Sequence, residues 1–336
     1  MRILVLGGTR FVGPYVVRRL ARLGHDLTVF HRGETEAGLP PGVRHVHGDF
    51  KRFADYVDDL RALSPEVVLD MVPLREEDAG RLKAFKGVAR RVVAVSSQDV
   101  YRAYGRLWRT EPGPPDPLPL TEDSPLREGL SHAGLDYNKT AVERAIMSDA
   151  GLTATILRLP AVHGPGDYQH RLFEYLKRMD DGRPAILLDE SFAGWRWARG
   201  YVEDVAHAIA LAATDDRAAG RVYNVAYEEA LTEAEWVRRI ARVVGWEGEV
   251  IALPGERLPE NLRRDAFDFT QQYAVDSGRI RAELGYTEVV PFEEALRRTI
   301  EWERANPPEK VGVDNFNYDA EDAALGGGSS SGKGYG

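Results

Sequence analysis

The sequence predicts an α/β fold: a doubly wound parallel sheet joined to a smaller, mostly helical C-terminal lobe. Three observations predict it. Short β-branched runs alternate with amphipathic stretches through the first half of the chain. Those runs are apolar on both faces, as in a parallel sheet covered by helices on either side. In the second half helical spacing dominates.

The strand-like runs are Ile3 to Leu6, Leu27 to Phe30, Val43 to Val46, Val67 to Leu69, Val92 to Val95 and Thr155 to Leu159. Between the first two, Val12, Val16, Leu20 and Leu23 recur at helical spacing, with Arg18, Arg19 and Arg22 on the other side. Such a stripe is core packing. Helices are predicted over Leu172 to Met179, Val205 to Ala213, Trp236 to Val244 and Phe292 to Trp302. Trp236, Ile240, Val243 and Val244 form one apolar stripe. Glu111 to Pro125 carries six prolines and predicts a rigid surface loop. Gly326 to Gly336 is Gly/Ser-rich and predicts disorder. There is no internal repeat.

A length of 336 residues suits one large domain or two smaller ones. An apolar share of 43% is enough for a core. With no cysteine, disulfides, thiol catalysis and cysteine-ligated zinc or iron–sulfur sites are excluded. No segment approaches the ~18 apolar residues of a membrane span. The chain enters an apolar run at Ile3 with no signal-peptide pattern, so a cytoplasmic protein is expected. The net charge of −9 and the interleaved basic residues disfavour a nucleic-acid partner.

The run Gly7-Gly8-Thr9-Arg10-Phe11-Val12-Gly13 follows the first strand and opens the first helix. Glycine there lets backbone amides approach a pyrophosphate at the helix N-terminus. Arg10 stands where the usual pattern has its middle glycine. An acidic residue about 20 residues further on would bind the ribose 2′-hydroxyl of NAD. This chain has His31 and Arg32 there, and a cation suits the 2′-phosphate of NADP. NADP(H) is therefore favoured and NAD(H) possible; the alternative for Arg32 is a solvated turn. Asp49, after the third strand, is read either as an adenine-contacting carboxylate or as a plain turn.

These pieces, with VSSQDVY (95–101), LTEDSPL (120–126), LRLPAVHGPGD (157–167), GYVEDVA (200–206), VYNV (222–225) and LGY (284–286), occur in an order that resembles the extended short-chain dehydrogenase/reductases of the NAD(P)-dependent epimerase/dehydratase type. GGTRFVG further resembles an atypical branch that includes chloroplast stem-loop-binding proteins. The resemblance implies a Rossmann sheet and hydride transfer between nicotinamide and a substrate carbon, assisted by Ser/Thr, Tyr and Lys. A tyrosinate lowered in pKa by a nearby ammonium would be the base. Ser97 falls in the serine position. Gln98 and Asp99 fall where sugar-nucleotide dehydratases carry two carboxylates, and only one is acidic here. Asp99 is read as catalytic or as a loop residue that satisfies backbone amides.

The family has Tyr-x-x-x-Lys on one helix face, whereas here Tyr137 and Lys139 are two apart, about 200° around a helix. Glu143, four residues after Lys139, anchors Lys139 in the lysine position and leaves Leu135 in the tyrosine position. Two readings follow. A helix capped by Asp136 would let Tyr137 reach the site from its irregular first turn. Otherwise the tyrosine is lost and the chain binds the dinucleotide with weak or altered catalysis, regulatory or RNA-associated like the stem-loop-binding relatives.

Pro160 and Val162, in the run after the sixth strand, are assigned to the cofactor along with Lys139. His163 falls where the family has tyrosine, and offers an alternative proton carrier. The substrate side is assigned to His163, Asp167, His170, Arg171, Trp197 and Arg199, with Trp195 and Arg196 beside them. In strand geometry Trp195, Trp197 and Arg199 share a face. An arginine among aromatic rings suits a phosphate or carboxylate, though burial of the rings against the sheet is equally compatible. His163 and His170 lack metal-ligand spacing, so no metal is expected. The expected partners are a small-molecule substrate of sugar-nucleotide or similar polar carbonyl type and, by resemblance, a second copy of the chain. The expected domains are a dinucleotide-binding unit over 1–165 rejoined by 199–227, a substrate lobe over 166–198 and 228–310, and a tail over 311–336.

Overall fold

The computed structural model describes residues 1–35, 38–130, 134 and 136–326. Its strands are Arg2–Leu6 (β1), Asp26–His31 (β2), Arg44–His47 (β3), Val67–Asp70 (β4), Arg91–Ser97 (β5), Ala154–Leu159 (β6), Ala161–His163 (β7), Ala185–Asp189 (β8), Arg199–Tyr201 (β9), Val222–Asn224 (β10) and Glu249–Leu253 (β11). Helices are Val12–Arg22 (α1), Val57–Ala62 (α2), Ala79–Lys83 (α3), Arg102–Leu107 (α4), Lys139–Met147 (α5), Phe173–Asp180 (α6), Glu190–Ala193 (α7), Val202–Thr214 (α8), Glu233–Val244 (α9), Gly278–Leu284 (α10), Phe292–Ala305 (α11) and Tyr318–Gly326 (α12).

Seven strands form one parallel sheet in the order β10-β6-β5-β4-β1-β2-β3. This is the doubly wound Rossmann arrangement that the alternating runs predict. Successive strand residues point to opposite faces, and both faces are covered. On one, Val5, Val29, Val93 and Leu157 pack with Val16 and Leu20 of α1 and Val205 and Ile209 of α8. On the other, Leu4, Phe30, Val68, Val92 and Ile156 pack with Leu60 of α2, Leu82 of α3 and Val142 and Ile146 of α5. Each such large side chain contributes about 1.5–3 kcal/mol of transfer free energy.

Several expectations are corrected. The third strand was predicted apolar on both faces, but β3 is the sheet edge, and Arg44, His45 and His47 on it are exposed. The predicted helices begin up to three residues earlier than their apolar stripes, because polar first turns carry no periodic signal. Thr232 and Glu235, for example, close a capping box ahead of Trp236. The second half also holds the parallel pair β8–β11 and the pair β7–β9. Of the segment expected to rejoin the main sheet, β10 pairs with β6 while β9 pairs with β7.

A further core joins α6, β8, α9 and α11 through Leu176, Ile186, Trp236, Ile240 and Ile300. Ile280, Leu284 and Tyr286 instead pack into the core shared by α1 and α8. The proline-rich loop is pinned, not loose: Asp116 within it is buried and paired with Arg102 and Arg106 of α4. The tail is ordered as α12, where Glu321 makes a buried ion pair of 2.6 Å with Arg178. The predicted disorder at 327–336 lies outside the described residues. Among those described, no helix is long and apolar enough to cross a membrane.

Candidate active site

The ends of β1, β4 and β5 lie side by side at the carboxyl edge of the sheet, where ligands of such folds bind. Gly7 and Gly8 after β1 both have φ of 88°, in the region glycine tolerates. Gly13 sits in the first turn of α1, and a Cβ there would lie 2.4 Å from the Gly8 backbone. Only glycine permits this close turn, and the amides it exposes fit a pyrophosphate. Beside Arg10, which stands in the middle-glycine position, Phe11 has a positive φ of 44°. Arg10 extends outward, its Nε donating to Thr35 Oγ1 at 3.2 Å. Val12 is buried at the helix start. Phe11 meets the ring of Tyr168 edge-on at 6.2 Å, which brings the segment after β7 against the cradle.

The ribose end differs from the prediction in detail. Arg32 is exposed and pairs with Glu34 at 2.9 Å. Asp49 caps the following helical turn through the Lys51 amide at 2.9 Å, the plain-turn role. His31 is buried and turned toward β3, where its Nε2 lies 2.8 Å from His45 Nδ1.

At the end of β5, Ser97, Asp99, Tyr137 and Lys139 come together. Tyr137 hydrogen-bonds both Ser97 and Asp99. Ser97 Oγ also accepts from the Asp99 amide at 3.3 Å. Lys139 opens α5 and is buried; its Nζ donates to the carbonyls of Pro73 and Val95, each at 3.0 Å. The ammonium stands 5.8 Å from the Tyr137 ring centroid. Tyr137 reaches this position because it lies outside the helix. The N-cap is Asn138, not Asp136 as predicted; its side chain accepts from the Ala141 amide, and its own amide donates to Leu74 O at 2.7 Å. The angular mismatch of two helical positions therefore does not apply. Leu135 lies outside the described residues.

The electrostatics run against a tyrosinate. Burial, then the Asp99 carboxylate, pushes the Tyr137 hydroxyl well above its ordinary value. Burial likewise raises Asp99 and lowers Lys139, whose charge is supported by Asp99, Asp70 and Glu143. The expected lowered tyrosine is corrected: a carboxylate touches the hydroxyl while the ammonium is committed to two carbonyls. Gln98 is buried and donates to Val225 O at 2.9 Å, leaving Asp99 as the one carboxylate of the two positions.

The substrate-side residues mostly serve packing. His163 is fully buried, hydrogen-bonded to Thr299 (3.1 Å) and Tyr227 (3.0 Å) and packed on Trp236. Burial, with Arg199 and Arg171 nearby, pushes it down to about 3, so it stays neutral and is no proton carrier near pH 7. Arg199 is buried between Trp197 and Trp236 and ion-paired with Glu233, so its charge is neutralised internally. Asp167 and Arg171 pair with each other at 2.7 Å, and His170 pairs with Glu303 at 2.7 Å and stacks on Trp302. Trp195 is buried, its indole donating to Gln271 O at 2.9 Å. Arg196 donates to Ala230 O at 2.7 Å. Trp197 remains half-buried. Pro160 and Val162 flank the start of β7, Val162 in the core.

Sequence reasoning missed the supports. Asp70, Asp78 and Arg81 form a buried ion-pair cluster; Arg81 also donates to Val72 O at 3.0 Å, holding the loop whose Pro73 carbonyl receives Lys139. A Cβ on Gly7 would touch Val72 at 3.3 Å, so this loop links cradle and lysine. Also missed was a cluster of His31, His45 and His47; the signal was the His-x-His spacing on β3.

The model of the NAD dependent epimerase/dehydratase family matches residues 3–226. The chain belongs to that family. A 2′-dehydrokanamycin reductase from Streptomyces kanamyceticus is 33% identical, with 80% of this chain and 73% of the relative covered. Chloroplast stem-loop binding protein of 41 kDa b from Arabidopsis thaliana is 24% identical, with 81% and 71% covered. The dTDP-glucose 4,6-dehydratase structure from Streptomyces venezuelae with NAD bound has a TM-score of 0.68 at 24% identity, covering 91% of this chain and 98% of that one. As a member of the NAD dependent epimerase/dehydratase family, the protein is an NAD(P)-dependent enzyme. The reading of a binder without catalysis is not favoured, because Tyr137, whose apparent displacement motivated it, touches both Ser97 and Asp99.

Proposed function

We propose that this protein is a reductase of a ketone carried on a sugar-like ring, using NADPH in preference to NADH. The observation that carries the reading is the Tyr137 hydroxyl hydrogen-bonded to both Ser97 and Asp99. When bound in the glycine cradle, the cofactor supplies a hydride to the carbonyl carbon. Ser97 hydrogen-bonds the carbonyl oxygen, and Tyr137 gives that oxygen its phenolic proton, so that C=O becomes CH–OH. Asp99, raised by burial, replaces the proton on Tyr137. Lys139 holds the Pro73 loop against the end of β5, with its amino group beside the tyrosine ring. A single carboxylate at positions 98 and 99 favours reduction over elimination of water, which needs an acid and a base. The similarity to a 2′-dehydrokanamycin reductase supports the substrate class. Arg32 supports the NADPH preference, as a cation at the end of β2.

The test follows NADPH absorbance with a panel of keto-sugars, keto-aminoglycosides and nucleotide-linked keto-sugars. Oxidation of NADPH with one alcohol formed per NADPH is expected. Turnover of a nucleotide-sugar to a dehydrated product, with no net NADPH consumed, would overturn the reading.

A further inference from the structure

The three imidazoles at the β2–β3 edge have no part in the proposed reduction. The parallel register sets His31 opposite His47 and Val29 opposite His45. His45 and His47, two apart on one strand, share a face, and His31 stands on that same face beside them. One ligand atom from each lies within 4.8 Å of the others. The His31 and His47 rings meet edge-on at 4.7 Å, and His31 and His45 at 5.1 Å. His31 is buried, whereas His45 and His47 are exposed.

We propose that His31, His45 and His47 form a binding site for a borderline divalent cation of the zinc class, with three imidazole nitrogens and an open fourth position. Imidazole ligands without a thiolate or carboxylate suit Zn(II), Co(II), Ni(II) or Cu(II) and not the oxygen-seeking Mg(II) or Ca(II). Zinc–nitrogen bonds of about 2.0–2.1 Å set tetrahedral ligand atoms about 3.3 Å apart. Rotation of the two exposed rings closes that gap. His31 Nδ1 accepts from the Gly33 amide at 3.2 Å, which places its proton on Nε2. Coordination through Nε2 moves that proton to Nδ1 and releases the Gly33 amide to water, which its exposed turn permits. The open position would carry water or an external anionic oxygen.

The experiment uses the full chain without an affinity tag. Co(II) is titrated by visible absorption and Zn(II) by calorimetry, each with the wild type and with the His45→Ala/His47→Ala double variant. One equivalent bound at micromolar or tighter affinity is expected, with the intense visible bands of four-coordinate Co(II), and a loss of at least tenfold in affinity in the double variant. The substituted side chains are exposed, so an unchanged Tm without metal verifies that the variant folds. No saturable binding to the wild type, or equal binding to the double variant, overturns the proposal.

Discussion

Arg158 grips Glu143 with three buried hydrogen bonds, from Nη2 to Oε2 at 2.7 Å and from Nε to Oε1 at 3.1 Å and Oε2 at 3.2 Å. Ser96 adds a fourth, from its hydroxyl to Oε1 at 2.5 Å. Glu143 lies one turn beyond Lys139 on α5, and Arg158 lies in β6, so the pair locks the helix that carries the lysine onto the sheet. Arg158 continues to the Tyr101 hydroxyl at 3.0 Å, which donates to Asn224 of β10 at 2.7 Å.

Glu143→Ala leaves this arginine charge buried and unpaired. A loss of about 3–5 kcal/mol in unfolding free energy is expected, read by urea denaturation. A loss below about 1 kcal/mol would mean that α5 is held by its apolar face alone.

Tyr137→Phe should lower kcat for reduction by about 10²–10⁴ while dinucleotide affinity stays unchanged. Because the reaction uses the protonated form of Asp99, and burial raises that group, reduction should decline as pH rises above the ordinary carboxylate range. Asp99→Asn should lower kcat and remove that limb of the profile. Wild-type kcat and an unaltered pH profile in Asp99→Asn would exclude the proton transfer assigned to it.

Asp204, in the first turn of α8, provides a stability test. It is buried, and burial raises it to about 6 even though it accepts from the Val289 and Val290 amides. The folded state therefore binds a proton that the unfolded state has lost, and this group's contribution to stability falls as pH rises from about 4 to about 6. A shift from 3.8 to about 6 corresponds to about 3 kcal/mol at most. Asp204→Asn keeps an acceptor oxygen and has no charge to bury, so it should gain stability relative to wild type at pH 7 and lose that advantage at pH 4. His163, depressed to about 3, acts in the opposite sense in both proteins, so the difference between them isolates Asp204.

Arg32 and Glu34 together should set cofactor preference. Arg32→Ala is expected to weaken NADPH about tenfold, the loss of one charge-assisted hydrogen bond, and to leave NADH unchanged. Glu34→Ala removes the internal competitor for the guanidinium and should strengthen NADPH. Calorimetric titration of both nucleotides decides it; equal losses for NADPH and NADH in Arg32→Ala would place the 2′-phosphate elsewhere.

From the sequence alone came the parallel sheet, the cradle at 7–13 and the pairing of Ser97 with Lys139 as parts of one site. The sheet and the cradle are local properties: apolar runs, helical spacing and glycine at a turn act over a few residues, whereas Ser97 and Lys139 were joined by the resemblance to a known family. The route of Tyr137 was decided only in the tertiary structure. Its approach depends on Asn138 bonding to Leu74, and on Lys139 finding carbonyls on two other strand ends. The same is true of His163, whose enclosure needs Thr299 from α11, and of the histidine cluster, which needs β3 to lie in register beside β2. Such contacts join residues far apart in the chain, and spacing in a sequence carries no information about which strand ends or helix faces will meet.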